Sequence, residues 1–231
     1  TKWVYLFHEG SSEMRNLLGG KGAGLSEMTN AGLPVPPGFT ITTEACNSYT
    51  QSDKKFPVGL WEQIQTALSA IQEQSGKQFG NFENPLLVSV RSGARISMPG
   101  MMDTILNLGL NDLTVNGLAQ STQNRQFALD SYRRFIQMFA KVVLGIESTA
   151  FEELLTNKKS EFGVVHDSEL SENALSELCD EFKKLVLQET GVPFEDDPQL
   201  QLYEAIKAVF HSWNNQRAID YRNYNGISHN W

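Results

Sequence analysis

Residues 18–25 read LGGKGAGL, four glycines within six positions around one lysine, Lys21. Glycine lets a backbone turn tightly and come close to a ligand. Residues 23–31, which follow, are expected to be helical and to stop at Gly32, a C-cap residue. A helix starting just after the glycine run would aim its first N–H groups back at it, a geometry that favours an anion, usually phosphate. Lys21 would then supply a point charge. The run is neither G-x-x-x-x-G-K-[ST], because Gly22 follows the lysine and no hydroxyl is placed for magnesium, nor G-x-G-x-x-G. A tight turn leading into a helix, with no ligand, accounts for the same residues.

A second concentration lies at residues 86–103, LLVSVRSGARISMPGMMD. A buried-looking strand ends in Arg91, Ser92 and Gly93. An arginine at a strand end beside a glycine loop can grip a phosphate with two parallel hydrogen bonds. A surface salt bridge is the competing reading. Met98, Met101 and Met102 surround Pro99 and Gly100, which suits either an adaptable apolar lid or ordinary core filling. Phosphoryl transfer from ATP needs magnesium, normally held by carboxylates. Asp103 is the nearest carboxylate, and no paired Asp or Glu stands in a convincing setting.

Outward from these two stretches, the chain changes character near residue 111. Residues 1–110 hold 13 of the 18 glycines and 6 of the 8 prolines, and strands are expected at 3–7, 39–42, 86–90 and 104–110. Leu60, Ile64, Leu68 and Ile71 recur at helical spacing. Residues 112–225 read as almost entirely helical. Tyr132, Phe135, Ile136, Phe139 and Val143 form one core stripe, and Leu175, Leu178, Phe182 and Leu185 a second. Pro198 opens a further helix carrying Leu202, Ile206, Val209 and Trp213, and Gly226 can end it. The expectation is an α+β chain: an α/β unit at 1–111, a helical unit at 112–197, and the helix at 198–231 returning to the first unit.

The chain has 231 residues, and 19 Lys plus Arg against 27 Asp plus Glu leave a net charge of −8. A polyanionic nucleic-acid backbone would be repelled by such a surface, whereas one small anion can still find a local positive pocket. No apolar run approaches the ~20 residues that span a bilayer, and the N-terminus does not read as a signal peptide. Cys46 and Cys179 stand alone, and His8, His166, His211 and His229 are scattered. No metal-ligand spacing emerges, and reduced thiols in a cytoplasmic protein fit best.

Three stretches carry a resemblance: KWVYLF near the start, LLGGKGAGLSEMTNAGLPVPPGFTITTEAC, and LLVSVRSGARISMPGMMDTILNLGLND. Together they closely resemble the N-terminal nucleotide-binding domain of the pyruvate phosphate dikinase family. The match is dense over residues 2–112, looser through the helical region, and tight again at AIDYRNYNGISHNW. Phosphoenolpyruvate synthase, which uses water in place of phosphate, shares the outline GGKGAxL and PPGF, but the GMMDT and LNLGLND wording follows the dikinase. A nucleotide-binding module without turnover is the non-enzymatic alternative.

The resemblance implies the first half of an ATP-grasp fold with a helical insertion. It implies a reaction that converts ATP, pyruvate and phosphate to AMP, phosphoenolpyruvate and pyrophosphate, with Mg2+, through a phosphohistidine in another domain. By motif match Lys21 and Arg91 correspond to ATP-phosphate contacts, Gly20 and Gly22 flank Lys21, and Gly100 belongs to a loop over the phosphates. Family members are several times longer than this chain. The magnesium ligands, the phosphocarrier histidine and the pyruvate-binding domain are therefore expected outside these residues, and the chain alone is expected to be inactive and monomeric. The full-length protein is expected to be a cytoplasmic homodimer that engages neither nucleic acid nor membrane.

Overall fold

The structure is a computed structural model and describes residues 1–229. The last two residues of the expected 198–231 stretch, Asn230 and Trp231, lie outside the described residues. The chain is α+β, with nine α-helices and three small two-stranded sheets among the described residues. Among the described residues it divides into two compact units that interleave in sequence: residues 1–76, 91–103 and 207–229 form one, and 77–90 and 104–206 the other.

In the first unit, β1 (Val4–Leu6) pairs antiparallel with β2 (Phe39–Ile41), Tyr5 opposite Thr40. Both strands are shorter than expected. The helix expected at 23–31 is longer: α1 spans Arg15–Asn30 and breaks at Gly19, where φ is 72° and ψ 173°. The glycine run is therefore helix on either side of one positive-φ residue, not a loop ahead of a helix. α2 (Thr43–Gln51) is absent from the sequence expectations; Thr42 caps it by accepting a hydrogen bond from the Ala45 N–H at 3.2 Å. α3 (Leu60–Ser75) buries the expected stripe Leu60, Ile64, Leu68 and Ile71. It also anchors β1, because the Gln63 side-chain oxygen accepts from the N–H groups of Trp3 and Val4 at 2.7 and 3.2 Å. Tyr49, Phe56 and Phe210 cluster with centroids 5.3–6.1 Å apart, and Trp61 stacks on Phe56.

The second unit holds β3 (Gln78–Phe79) parallel to β4 (Pro85–Leu86), and β5 (Val88–Arg91) paired with β6 (Thr104–Leu108). Arg91 itself passes into the first unit. The helices are α4 (Thr114–Thr122), α5 (Arg125–Val142), α6 (Ser148–Phe162) and α7 (Glu172–Thr190). α8 (Pro198–Ser212) begins in this unit and ends in the first, where α9 (Gln216–Asn225) follows. Residues 77–90 and 104–111, grouped at the sequence level with the first unit, belong to the second because β6 packs on α5 and β4 on α4. α5 and α7 share the core through Tyr132, Phe135, Ile136 and Phe139 and through Leu175, Leu178 and Phe182, while Val143 and Leu185 of the expected stripes are half-buried; Phe151 of α6 meets Phe182 of α7 edge-on at 4.9 Å.

Charges buried in the second unit are paired, as burial requires. Lys158 lies among Glu161, Glu177 and Glu181 at 2.9–3.1 Å, and the hydrogen bond to Glu181 leads in raising its pKa against the burial that would lower it. Arg133 binds Asp130 and Asp167. The Tyr132 hydroxyl donates to Asp112 at 3.0 Å, and its pKa is raised chiefly by burial.

Candidate nucleotide site

The two stretches singled out in the sequence meet within the first unit. A Cβ at Gly19 would overlap the carbonyl oxygen of Gly93, so the backbones touch where a side chain cannot fit. The Gly20 N–H, first of the resumed helix, donates to the Ala94 carbonyl at 3.0 Å. The Lys21 ammonium donates to the Ser92 carbonyl at 3.2 Å while remaining exposed. This places Lys21 beside the residue that follows Arg91, itself exposed at the end of β5.

Gly22 has a different task. It is buried, and a Cβ there would lie 2.7 Å from the Thr40 methyl group, so this glycine lets α1 pack on β2. Gly100 sits at an exposed turn closed by the Met101 N–H donating to the Met98 carbonyl at 3.2 Å. Pro99 precedes it and its φ is 74°, the residue order and sign that a type II turn demands.

The methionines fill core. Met98 is buried with Trp213 and Ala218, and Met101, Met102, Ala94, Tyr221 and Ile227 pack around them. Asn215 donates to the Met101 carbonyl at 3.1 Å, and Asp103 pairs with Arg217 at 3.3 Å. Arg222 stacks on Trp213 at 4.1 Å and donates to the Trp213 carbonyl and to His229 Nδ1 at 2.6 and 2.9 Å. The residues around α9 thereby hold the 98–103 segment in place.

Asp103 thus has an arginine partner, and among the described residues no group of three or more His, Cys, Asp or Glu side chains could hold a metal ion. The magnesium implied by the resemblance finds no donor set here. Cys46 and Cys179 are free, and burial pushes both thiols up to about 12. Neither is a nucleophile at neutral pH. Among the described residues no helix is long and apolar enough to cross a membrane.

Sequence reasoning singled out Gly20 and Gly22 and passed over Gly19, the one glycine of the run with a positive φ. It also passed over Arg15 and Arg95, which flank the seam.

The first unit is thus an α+β frame in which two glycine segments are knitted together beneath the exposed Lys21 and Arg91. The family model described as "Pyruvate phosphate dikinase, AMP/ATP-binding domain" matches residues 15–54 and 51–231, and the chain belongs to that family. It is 53% identical over 231 residues to "Pyruvate, phosphate dikinase" of Clostridium symbiosum, covering 100% of this chain and 26% of that protein. The Rhizobium meliloti protein of the same name is 50% identical, with 100% and 26% covered. The chloroplastic one of Mesembryanthemum crystallinum is 52% identical, with 98% and 24% covered. The chain therefore spans about a quarter of the length of these curated relatives.

Proposed function

We propose that this chain is the ATP-binding part of a pyruvate phosphate dikinase, with Lys21 and Arg91 gripping the polyphosphate of ATP. The observation that carries the reading is the seam itself. Two cation-bearing segments about seventy positions apart in sequence are joined backbone to backbone at Gly19 and Gly93, with the Lys21 ammonium held at Ser92. Lys21 supplies a point charge, and the Arg91 guanidinium can hold two phosphate oxygens at once. Gly100 gives a loop over the phosphates, and Gly20 and Gly22 set the backbone on either side of Lys21. The surrounding frame is the first half of an ATP-grasp domain.

The whole-protein reaction that goes with this reading, as the resemblance implies it, converts ATP, pyruvate and phosphate to AMP, phosphoenolpyruvate and pyrophosphate through a phosphohistidine carried elsewhere. Magnesium would be held by carboxylates outside these residues.

The test separates the two half-reactions in the intact protein. Lys21→Ala should severely cut phosphoryl transfer from ATP and leave the pyruvate half-reaction near normal. Equal losses in both halves would point to a folding defect and sink the assignment.

A further inference from the structure

Eight arginines occur in the chain. Five are committed: Arg125 to Glu172, Arg133 and Arg134 to Asp130, Arg217 to Asp103, and Arg222 to His229 and the Trp213 carbonyl. Among the described residues the other three, Arg15, Arg91 and Arg95, make no side-chain hydrogen bond or ion pair. Arg91 and Arg95 lie in the 86–103 segment, and Arg15 lies three residues ahead of the glycine run at 18–25.

Two of these residues come to Gly20. A Cβ at Gly20 would lie 3.5 Å from an Arg15 guanidinium nitrogen and 3.5 Å from the Arg95 carbonyl oxygen. Gly20 therefore has Arg15 and the Arg95 backbone against it, and Lys21 follows. Arg95 Nε is moreover buried with no hydrogen-bond partner. A buried N–H normally finds an acceptor, and the exceptions call for a missing ligand or ion. Burial without an acceptor is a desolvation penalty that nothing in the protein offsets. In a chain of net charge −8, unpaired cations gathered at one seam make a local positive field. A triphosphate carries more negative charge than Lys21 and Arg91 alone can match.

We propose that Arg95, with Arg15 beside it, binds phosphate oxygens in the same polyphosphate site as Lys21 and Arg91, the Arg95 Nε–H gaining its acceptor when the anion arrives. This inference rests on the nucleotide-site reading above and extends its cation set.

The test measures affinity of the intact protein for inorganic tripolyphosphate and for ATP, by calorimetry, alongside thermal unfolding without ligand. Arg95→Lys keeps the charge and loses the fork, and Arg95→Met keeps much of the stem and removes every donor. Both should bind tripolyphosphate about 10- to 100-fold more weakly, the range for a charged hydrogen bond. Arg95→Met should unfold at the same temperature as the unaltered protein or higher, because an unsatisfied buried donor is gone. If Lys21→Ala loses tripolyphosphate while both Arg95 variants bind normally, this inference is overturned and the nucleotide-site reading stands. If ligand binds but Lys21→Ala, Arg91→Ala and Arg95→Lys are all indifferent to it, the site lies elsewhere and both readings fall. Should Arg95→Met fail to fold, Arg95→Lys decides alone.

Discussion

Gly19 and Gly93 meet backbone to backbone, and the contact is asymmetric. Gly19 has φ 72° and ψ 173°, and a Cβ there would overlap the Gly93 carbonyl oxygen. Gly93 has no left-handed φ, and its own Cβ would come no nearer than 3.6 Å to the Leu18 carbonyl. One glycine is demanded twice over, by conformation and by space; the other only supplies the oxygen.

The two alanine variants should therefore differ sharply. Gly19→Ala combines a backbone region nearly closed to other residues, at about 1–3 kcal/mol, with steric overlap, and should cost about 3 kcal/mol or more. Gly93→Ala should stay within about 1 kcal/mol. Urea denaturation of each variant reads the difference. Equal losses would mean the seam does not constrain Gly19.

Arg91 should not tolerate lysine. A bidentate contact to phosphate is worth roughly 1.5–3 kcal/mol, so Arg91→Lys in the intact protein should weaken ATP binding by one to two orders of magnitude. Its unfolding temperature should not move, since Arg91 is exposed and has no ion-pair partner among the described residues. Unchanged ATP affinity would remove Arg91 from the site.

Asp167 should make part of the stability pH-dependent. Burial disfavours its charged form, but the Lys159 ammonium at 3.0 Å and the Arg133 guanidinium outweigh burial and hold the carboxyl below the usual aspartate range. A folded pKa below the unfolded one stabilises at neutral pH, and the contribution fades as pH falls through the folded value. Asp167→Asn should lower the unfolding temperature by about 1–4 °C at pH 7, as for a surface ion pair. The gap should close as the pH drops below ~4. A gap of constant size down to pH 3 would show that the loss is not electrostatic.

The 231-residue chain by itself should unfold cooperatively yet leave ATP uncleaved. Its long apolar stripes are buried, which supports folding. Asp103 is paired with Arg217, so the nearest carboxylate is not free to hold magnesium. Without the metal two or more cations orient the β- and γ-phosphates poorly. AMP formation by the purified chain in magnesium and ATP would overturn this expectation, since some carboxylates here would then have to bind the metal.

Periodicity made much of the helical framework legible. Apart from Val143 and Leu185, which are half-buried, the stripes on α3, α5 and α7 appear in the sequence at the spacing at which they are buried, because a helix repeats its core face every three to four residues wherever it lies. Short elements were less legible. α2 has nine residues, two of them buried, and Thr42 is its one local signal. Three of the expected strands shrank at their ends, where alternation fades into turns, and the one at 86–90 is divided at Leu87 between β4 and β5, which belong to different sheets.

The sequence by itself determined the residue types available to the site. It put a lysine among four glycines and an arginine at a strand end, and it carried a family resemblance dense enough to name the chemistry. Which glycine must be a glycine was settled by tertiary structure, because Gly19's conformation depends on a carbonyl more than seventy residues away. The methionines could be lid or core until Trp213 and Ala218 were seen against Met98. Arg15 and Arg95 look like any surface arginines in the sequence; only the fold brings the Arg15 guanidinium and the Arg95 backbone together at Gly20, with neither side chain partnered among the described residues. Local spacing records what one helix or strand wants, and every residue pair that decides this site is made by segments brought together when the whole unit packs.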